Sequence, residues 1–289
     1  MSVFKFLKQV FLHFFNSNTF QKGAALAYYA VFSIFPIIII LVSILGLIFG
    51  KEAISGEIYN QLQDVLGKEA SIQIQAIIKN QHQNHNSVLT TIIGFSTLLL
   101  SASGMFGQIH NAFNGVWNLK AKPKNGLIRY FTKHFFSFSL LLLLFFILVI
   151  SSSINSYLIQ FYDSLHTNYK VVLTYEHLAS FAVSTVLFSL MFLFLGDAKI
   201  NFKPMILGGI FTAFLFSLGK IGISYYLGKS HLSTTFGTAS ILALIMLWVY
   251  YTSQILFLGA SFVKIYSDFS NAPIQANDNA VLITEHEIS

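Results

Sequence analysis

Residues Gly23–Pro36 read GAALAYYAVFSIFP and open an uncharged run that continues from Ala24 to Gly50. That run is longer than the roughly 20 apolar residues a helix needs to cross the hydrocarbon core of a bilayer. It is also longer than the roughly 7–15 apolar residues of a cleavable signal. The segment therefore reads as a membrane-crossing helix. Yet its first half carries Tyr28, Tyr29, Ser33 and Pro36, for which a passive anchor has no use.

The rest of the chain agrees with a lipid solvent. Of its 289 residues 55% are hydrophobic and only 10% charged, against roughly 25% charged in an ordinary soluble domain. Mean hydropathy is +0.67, and Phe alone supplies 31 residues. Six stretches approach spanning length: 24–50, 88–108, 135–159, 178–195, 205–227 and 239–263. The expected fold is an all-α, six-transmembrane-helix bundle over residues 23–266. Cysteine is absent, so disulfides and thiolate chemistry are excluded.

A net charge of +6 invites a nucleic-acid reading, but its distribution encodes orientation. With the N-terminus cytoplasmic, the inner segments hold Lys5, Lys8, Lys22, Lys120, Lys122, Lys124, Arg129, Lys133, Lys199, Lys203 and Lys264. The outer loops hold Lys51, Lys68, Lys79, Lys170 and Lys229, and Lys220 lies inside a span. The inner excess follows the positive-inside rule and puts both termini in the cytoplasm. No nucleic-acid partner is expected.

Outside the spans the chain is sparse. Residues 1–22 carry Phe4, Leu7, Phe11 and Phe14 at helical spacing beside Lys5, Lys8, Gln9 and His13, the pattern of an amphipathic helix in the inner headgroup layer. Packing on the cytoplasmic side of the bundle is the plainer alternative. In the outer loop 51–87, Ile54, Ile58, Leu62 and Val65 form one stripe and Ile74, Ile77 and Ile78 a second, so two short amphipathic helices are expected. His82 and His85 lie three apart, but with no further ligand near them they read as a polar turn rather than a metal site. Neither a metal nor a cofactor is expected. The basic inner loop, broken by Pro123 and Gly126, reads as a connector near anionic lipid. The polar residues 267–289 read as a disordered cytoplasmic tail. No internal repeat marks an inverted-repeat transporter.

Polar residues within the spans are the candidate pathway. Tyr29, Ser33 and Pro36 share one face of the first span, and Pro36 cannot bond the carbonyl of Phe32, so a kink is expected. The Tyr pair also suits an interfacial belt. At the end of the second span Ser103, Gly107, His110 and Asn114 share a face, with Gly104 and Gly107 permitting close helix approach. Lys220, about 22 Å along the fifth span, is the one intramembrane charge, within snorkelling reach of the outer surface. Tyr250, Gln254 and Ser261 align on the sixth span. These groups fit a central polar path, and equally fit interhelical hydrogen bonding. No Asp or Glu lies in any span, which argues against a carboxylate proton relay.

These segments resemble the YihY/BrkB family of bacterial inner-membrane proteins. The resemblance rests on AALAYYAVFSIFP, on GMFGQIHNAFNGVW, on GDAKINFKPMILGGIFTAFLFSLGKIGISYYLG and on FGTASILALIMLWVYYTSQILFLGASF. Together they cover about half the chain in the expected order. Two positions depart from that pattern. Ser261 stands where the family commonly has Glu, and Gly196 where it often has Pro before Asp-Ala-Lys. The resemblance implies a six-helix inner-membrane protein with cytoplasmic ends; family members have been labelled ribonuclease BN and serum-resistance factors.

The nuclease label is tested by residues. Metal-dependent RNA cleavage needs converging carboxylates or histidines, and Asp197, Asp268, Asp278, Glu285 and Glu287 with His13, His110, His134 and His286 form no such cluster in sequence. No paired acid and base can be assigned, and no enzymatic activity is expected. The leading expectation is a transporter or lipid-handling protein. Its expected partners are membrane lipids and an anionic lipid or small amphipathic substrate. The alternative is a non-transporting scaffold of envelope assembly.

Overall fold

The computed structural model describes residues 2–32, 107–122, 169–229 and 239–283, together with 104–105 and isolated helical positions at 56, 59, 71–72 and 75–76. Ser33, Pro36, the pair His82 and His85, the third span and most of the first and second spans lie outside the described residues, as do the outer helices apart from those isolated positions.

The described chain is mostly helical. Helix α1 spans Val3–Asn16, α2 is helical over 19–32 and α3 over 107–116. Then come α4 at Tyr169–Phe194, α5 at Phe202–Lys229 and α6 at Ala239–Phe269. Within α5 and α6, Phe202–Lys220 and Leu242–Phe269 are long and apolar enough to cross a membrane. At about 1.5 Å per residue the shorter of these reaches roughly 28 Å. The described residues also hold four short strands: β1 at Leu119–Ala121, β2 at Ala198–Lys199, β3 at Gln275–Ala276 and β4 at Ala280–Leu282.

The outward faces of the long helices are apolar. Ile210, Phe214 and Leu218 recur every four residues along α5, and Leu178, Ala182 and Val186 do so along α4, all exposed. In water a contiguous surface of this kind would be a liability; in lipid it is the solvated face. Hydroxyls on these helices bond back to their own backbone: Thr185 to the Phe181 carbonyl, Ser189 to Thr185, Thr212 to Gly208 and Ser217 to Ala213, at 2.7–2.9 Å. Each satisfies its O–H inside its own helix, as an apolar medium requires.

The chain divides into two compact units. One comprises Met1–Thr19, His110–Ser217 and Ile255–Ser289; the other comprises Phe20–Ile109 and Leu218–Gln254. In the first, the core is aromatic. Phe113 packs against Trp117, Phe192 and Phe257 with ring centroids 5.1–6.3 Å apart, and all four side chains are wholly buried. Glycines let α4, α5 and α6 approach. A side chain at Gly208 would overlap Val263, and one at Gly259 would overlap Thr212 and Phe192. Close small-residue contacts of this kind hold helices together where the hydrophobic effect between them is weak.

The tail departs from expectation. Of the residues expected to be disordered, 267–269 belong to α6 and 270–283 return across the ends of the helices, while 284–289 lie outside the described residues. Asn271 takes the left-handed conformation, φ 53°, and the Ala272 N–H donates to the Ser267 carbonyl at 3.0 Å, closing the end of α6 as an Asn cap does. The chain then pairs twice. Strand β3 runs antiparallel to β2, with Ala198 opposite Ala276, and β4 runs antiparallel to β1, with Lys120 opposite Val281. Ile274, just before β3, is buried.

Candidate functional site: a buried His–Asn–Asp cluster

Helix α3 carries His110 and Asn114 one turn apart, so both face the same way. The Trp117 N–H still donates to Phe113 at 3.0 Å. Asn118 then adopts φ 55°, ending the helix and sending the chain into β1. From the other direction α4 ends with Leu195 bonded to Met191. The bend at 195–197 brings the backbone of Asp197 against Asn114. A side chain at Gly196 would overlap the Trp117 ring, so glycine is what lets this bend lie flat on the indole. The indole in turn donates from Nε1 to the Ala260 carbonyl on α6, at 3.2 Å.

The resulting cluster is closely bonded. Asn114 Nδ2 donates to Asp197 Oδ2 at 3.0 Å, and Asn114 Oδ1 accepts from the Asp197 N–H at 2.8 Å. His110 Nε2 lies 3.2 Å from the same Oδ2, and His110 Nδ1 lies 3.2 Å from Asn114 Nδ2. Asp197 fixes which way the Asn114 amide points, because an N–H must meet Oδ1 and a carboxylate must meet Nδ2. The imidazole tautomer follows: Nδ1 accepts from Asn114 and Nε2 carries the hydrogen toward Asp197. The Asp197 carbonyl accepts from Asn277, 2.9 Å away, so the tail closes over the cluster. All three side chains are buried; those of His110 and Asp197 are each 11% exposed.

A buried carboxylate is costly unless it is hydrogen-bonded, and here Asn114 Nδ2 and His110 Nε2 both meet Oδ2. Chemically the cluster pairs an acid with a base, which the sequence did not allow to be assigned. Its burial makes it a clamp joining the end of α3 to the α4–α5 turn. Among the described residues no group of three metal-ligating side chains forms.

The structure brings together two of the residues expected to matter, His110 and Asn114, and adds two that sequence reasoning passed over as site residues, Asp197 and Trp117. Asp197 sat among the scattered acids; its place beside a helix-ending Gly was the available signal. Ser261 is wholly buried on α6, and its hydroxyl has no hydrogen-bond partner among the described residues. In the second unit, Tyr29 of α2 packs its ring against Gly104, where an added Cβ would lie 2.7 Å from Cε1. The close approach expected at Gly104 is present, while at Gly107 no described residue comes within 4 Å of an added Cβ. The Gln254 amide and the Ser253 hydroxyl of α6 fill the space over Gly23. Lys220 and Tyr250 are half-buried.

Residues 10–281 match the family model described as Virulence factor BrkB. The chain is similar to a UPF0761 membrane protein of Saccharophagus degradans, 24% identical over 267 residues, or 90% of this chain and 59% of that protein. A UPF0761 membrane protein of Psychrobacter is 24% identical over 94% of this chain and 50% of its own length. One of Mannheimia succiniciproducens is 23% identical over 93% and 92%. The chain thus spans about half to three-fifths of the first two relatives and nearly all of the third. No solved structure matches it.

Proposed function

The chain belongs to the Virulence factor BrkB family and is a membrane protein, as its relatives are named; on that premise we propose that it is a transporter or lipid-handling protein of the bacterial inner membrane, acting on an amphipathic or anionic substrate. The proposed architecture is a bundle of six crossings with both termini cytoplasmic. Helices α5 and α6 supply its last two.

The observation that carries the reading is Lys220. It is a half-buried lysine on a helix that has the length and apolarity to cross a membrane and that holds no acidic residue. An ionisable group in such a place is expensive and points to a substrate or ion path. A lysine near one leaflet suits an anionic headgroup, and the Phe-rich walls suit acyl chains. Tyr29, Tyr250 and Gln254 belong to the same compact unit as Lys220 and supply polar groups to line such a path.

The scaffold reading draws on a different observation. Phe113, Trp117, Phe192 and Phe257 are packed with no exposure, and a scaffold needs no opening there. A ribonuclease would need the His110–Asp197 pair at the surface, and both side chains are buried.

The test is mass spectrometry of lipids and small molecules that co-purify with the full chain in native membrane discs. One anionic lipid enriched over bulk, and lost in Lys220→Gln, is the expected result. Bulk composition in the wild-type preparation would contradict lipid handling and favour the scaffold.

A further inference from the structure

Helix α1 carries one broad apolar stripe, and the protein covers only part of its width. Val10 and Phe14 are buried, and Phe6 meets Phe262, Tyr266 and Phe269 edge-on at 5.2–6.5 Å. His13 donates from Nε2 to the Val116 carbonyl at 2.8 Å. These contacts fix α1 against the end of α6 and the end of α3. Next to them around the helix Phe4, Leu7, Phe11, Leu12 and Phe15 are exposed, Phe4 by 80% and Phe15 by 55%. Lys5 and Lys8 are exposed as well. At 100° per residue, Phe4, Leu7, Phe11 and Phe15 lie within an arc of about 80°, with Lys8 about 20° beyond it and Leu12 and then Lys5 further round the same side.

We propose that this outer face of α1 lies in the plane of the membrane and binds the surface of an anionic lipid leaflet. Two features select lipid as the occupant. First, α1 is seated by Phe6 on the last two turns of α6, a helix of membrane-crossing length. Its outer face is therefore held where a crossing helix leaves the hydrocarbon. Phe269 at that end, which touches Phe6, is itself 54% exposed. Second, the charge at the border of the face is wholly basic: α1 contains no acidic residue. Aromatic rings under a lysine rim match acyl chains under anionic headgroups. The inference is independent of whatever the bundle carries, because it rests on α1 and α6 alone.

The chain contains no cysteine, so a nitroxide is placed without background. Full-length protein carrying Phe11→Cys or Gln9→Cys, spin-labelled, is reconstituted in vesicles of zwitterionic lipid alone or with 30 mol% phosphatidylglycerol. The label at 11 is expected to be reached by oxygen and shielded from a water-soluble nickel relaxant; the label at 9, on the other side of the helix, is expected to be open to the relaxant. With Lys5→Gln and Lys8→Gln added, the immersed fraction in anionic vesicles falls toward its zwitterionic value, by about fivefold in the immersion equilibrium per lysine. Equal relaxant access at 9 and 11 would overturn the proposal. So would shielding of position 11 from both reagents, which would mean that protein, a second copy included, covers the face. Immersion that ignores both lipid charge and the two lysines would overturn the anionic preference.

Discussion

Asn114 holds Asp197 at two points, donating to its carboxylate at 3.0 Å and accepting from its backbone N–H at 2.8 Å. The two residues are 83 positions apart in the chain, so one carboxamide fixes the α4–α5 turn to the end of α3. Asn114→Ala removes both bonds and leaves a buried N–H and a buried carboxylate oxygen short of a partner. The expected cost is about 2–4 kcal/mol, read as a fall in thermal midpoint of the full chain in detergent micelles. Asn114→Asp keeps the acceptor but sets a carboxylate beside a carboxylate, and should do at least as much damage.

The contribution of His110 is separable from that of Asn114. A cycle of His110→Phe, Asp197→Asn and the double variant should show coupling of about 1–3 kcal/mol, the range for residues in direct contact. Additive effects would mean that the 3.2 Å contact adds nothing beyond the burial of each group.

Gly196 lies so close to Trp117 that an added methyl would contact Cε3 at 2.8 Å and overlap Cζ3. Gly196→Ala should displace the indole and break its bond to the Ala260 carbonyl, at an overpacking cost of about 1–3 kcal/mol. In a Trp248→Phe background Trp117 is the remaining tryptophan, so a red shift of its emission reports the displacement directly. An unchanged spectrum and midpoint would show that the bend has room to spare.

The tail is expected to be tied down. Lys120 and Val281 are antiparallel partners, and such partners lie within disulfide reach. Lys120→Cys with Val281→Cys should crosslink on mild oxidation, unambiguously in a cysteine-free chain. Ile274→Ala should cost about 2–4 kcal/mol as a buried truncation. A pair that stays reduced in oxidised membranes would put β4 elsewhere.

Legibility of the sequence followed the physics of each element. The apolar runs 205–227 and 239–263 lie within α5 and α6, because continuous apolar length is read directly. The helices extend further, to Lys229 and Phe269, because helical turns beyond the apolar run carry polar residues that a hydropathy reading stops at. Phe14 shares a stripe with Phe4, Leu7 and Phe11, but it is buried while they are exposed; periodicity finds an apolar stripe without showing how much of its width is covered. The tail was misread for a different reason. Strands of two or three residues in NAPIQANDNAVL have no alternation to detect, and their partners lie far off in sequence. Asp197 was hidden similarly, since nothing local connects it with Asn114.

The central claim, that polar residues of the second unit line a path for substrate, is tested most directly by chemical access to Gln254. Gln254→Cys in the otherwise cysteine-free chain, reconstituted in sealed vesicles, is treated with a charged, membrane-impermeant thiol reagent. Modification that is slowed by an anionic amphiphile is the predicted result, with Tyr250→Cys and Tyr29→Cys behaving alike. Complete protection of all three positions, relieved only on unfolding in detergent, would contradict a pathway and leave a bundle packed shut.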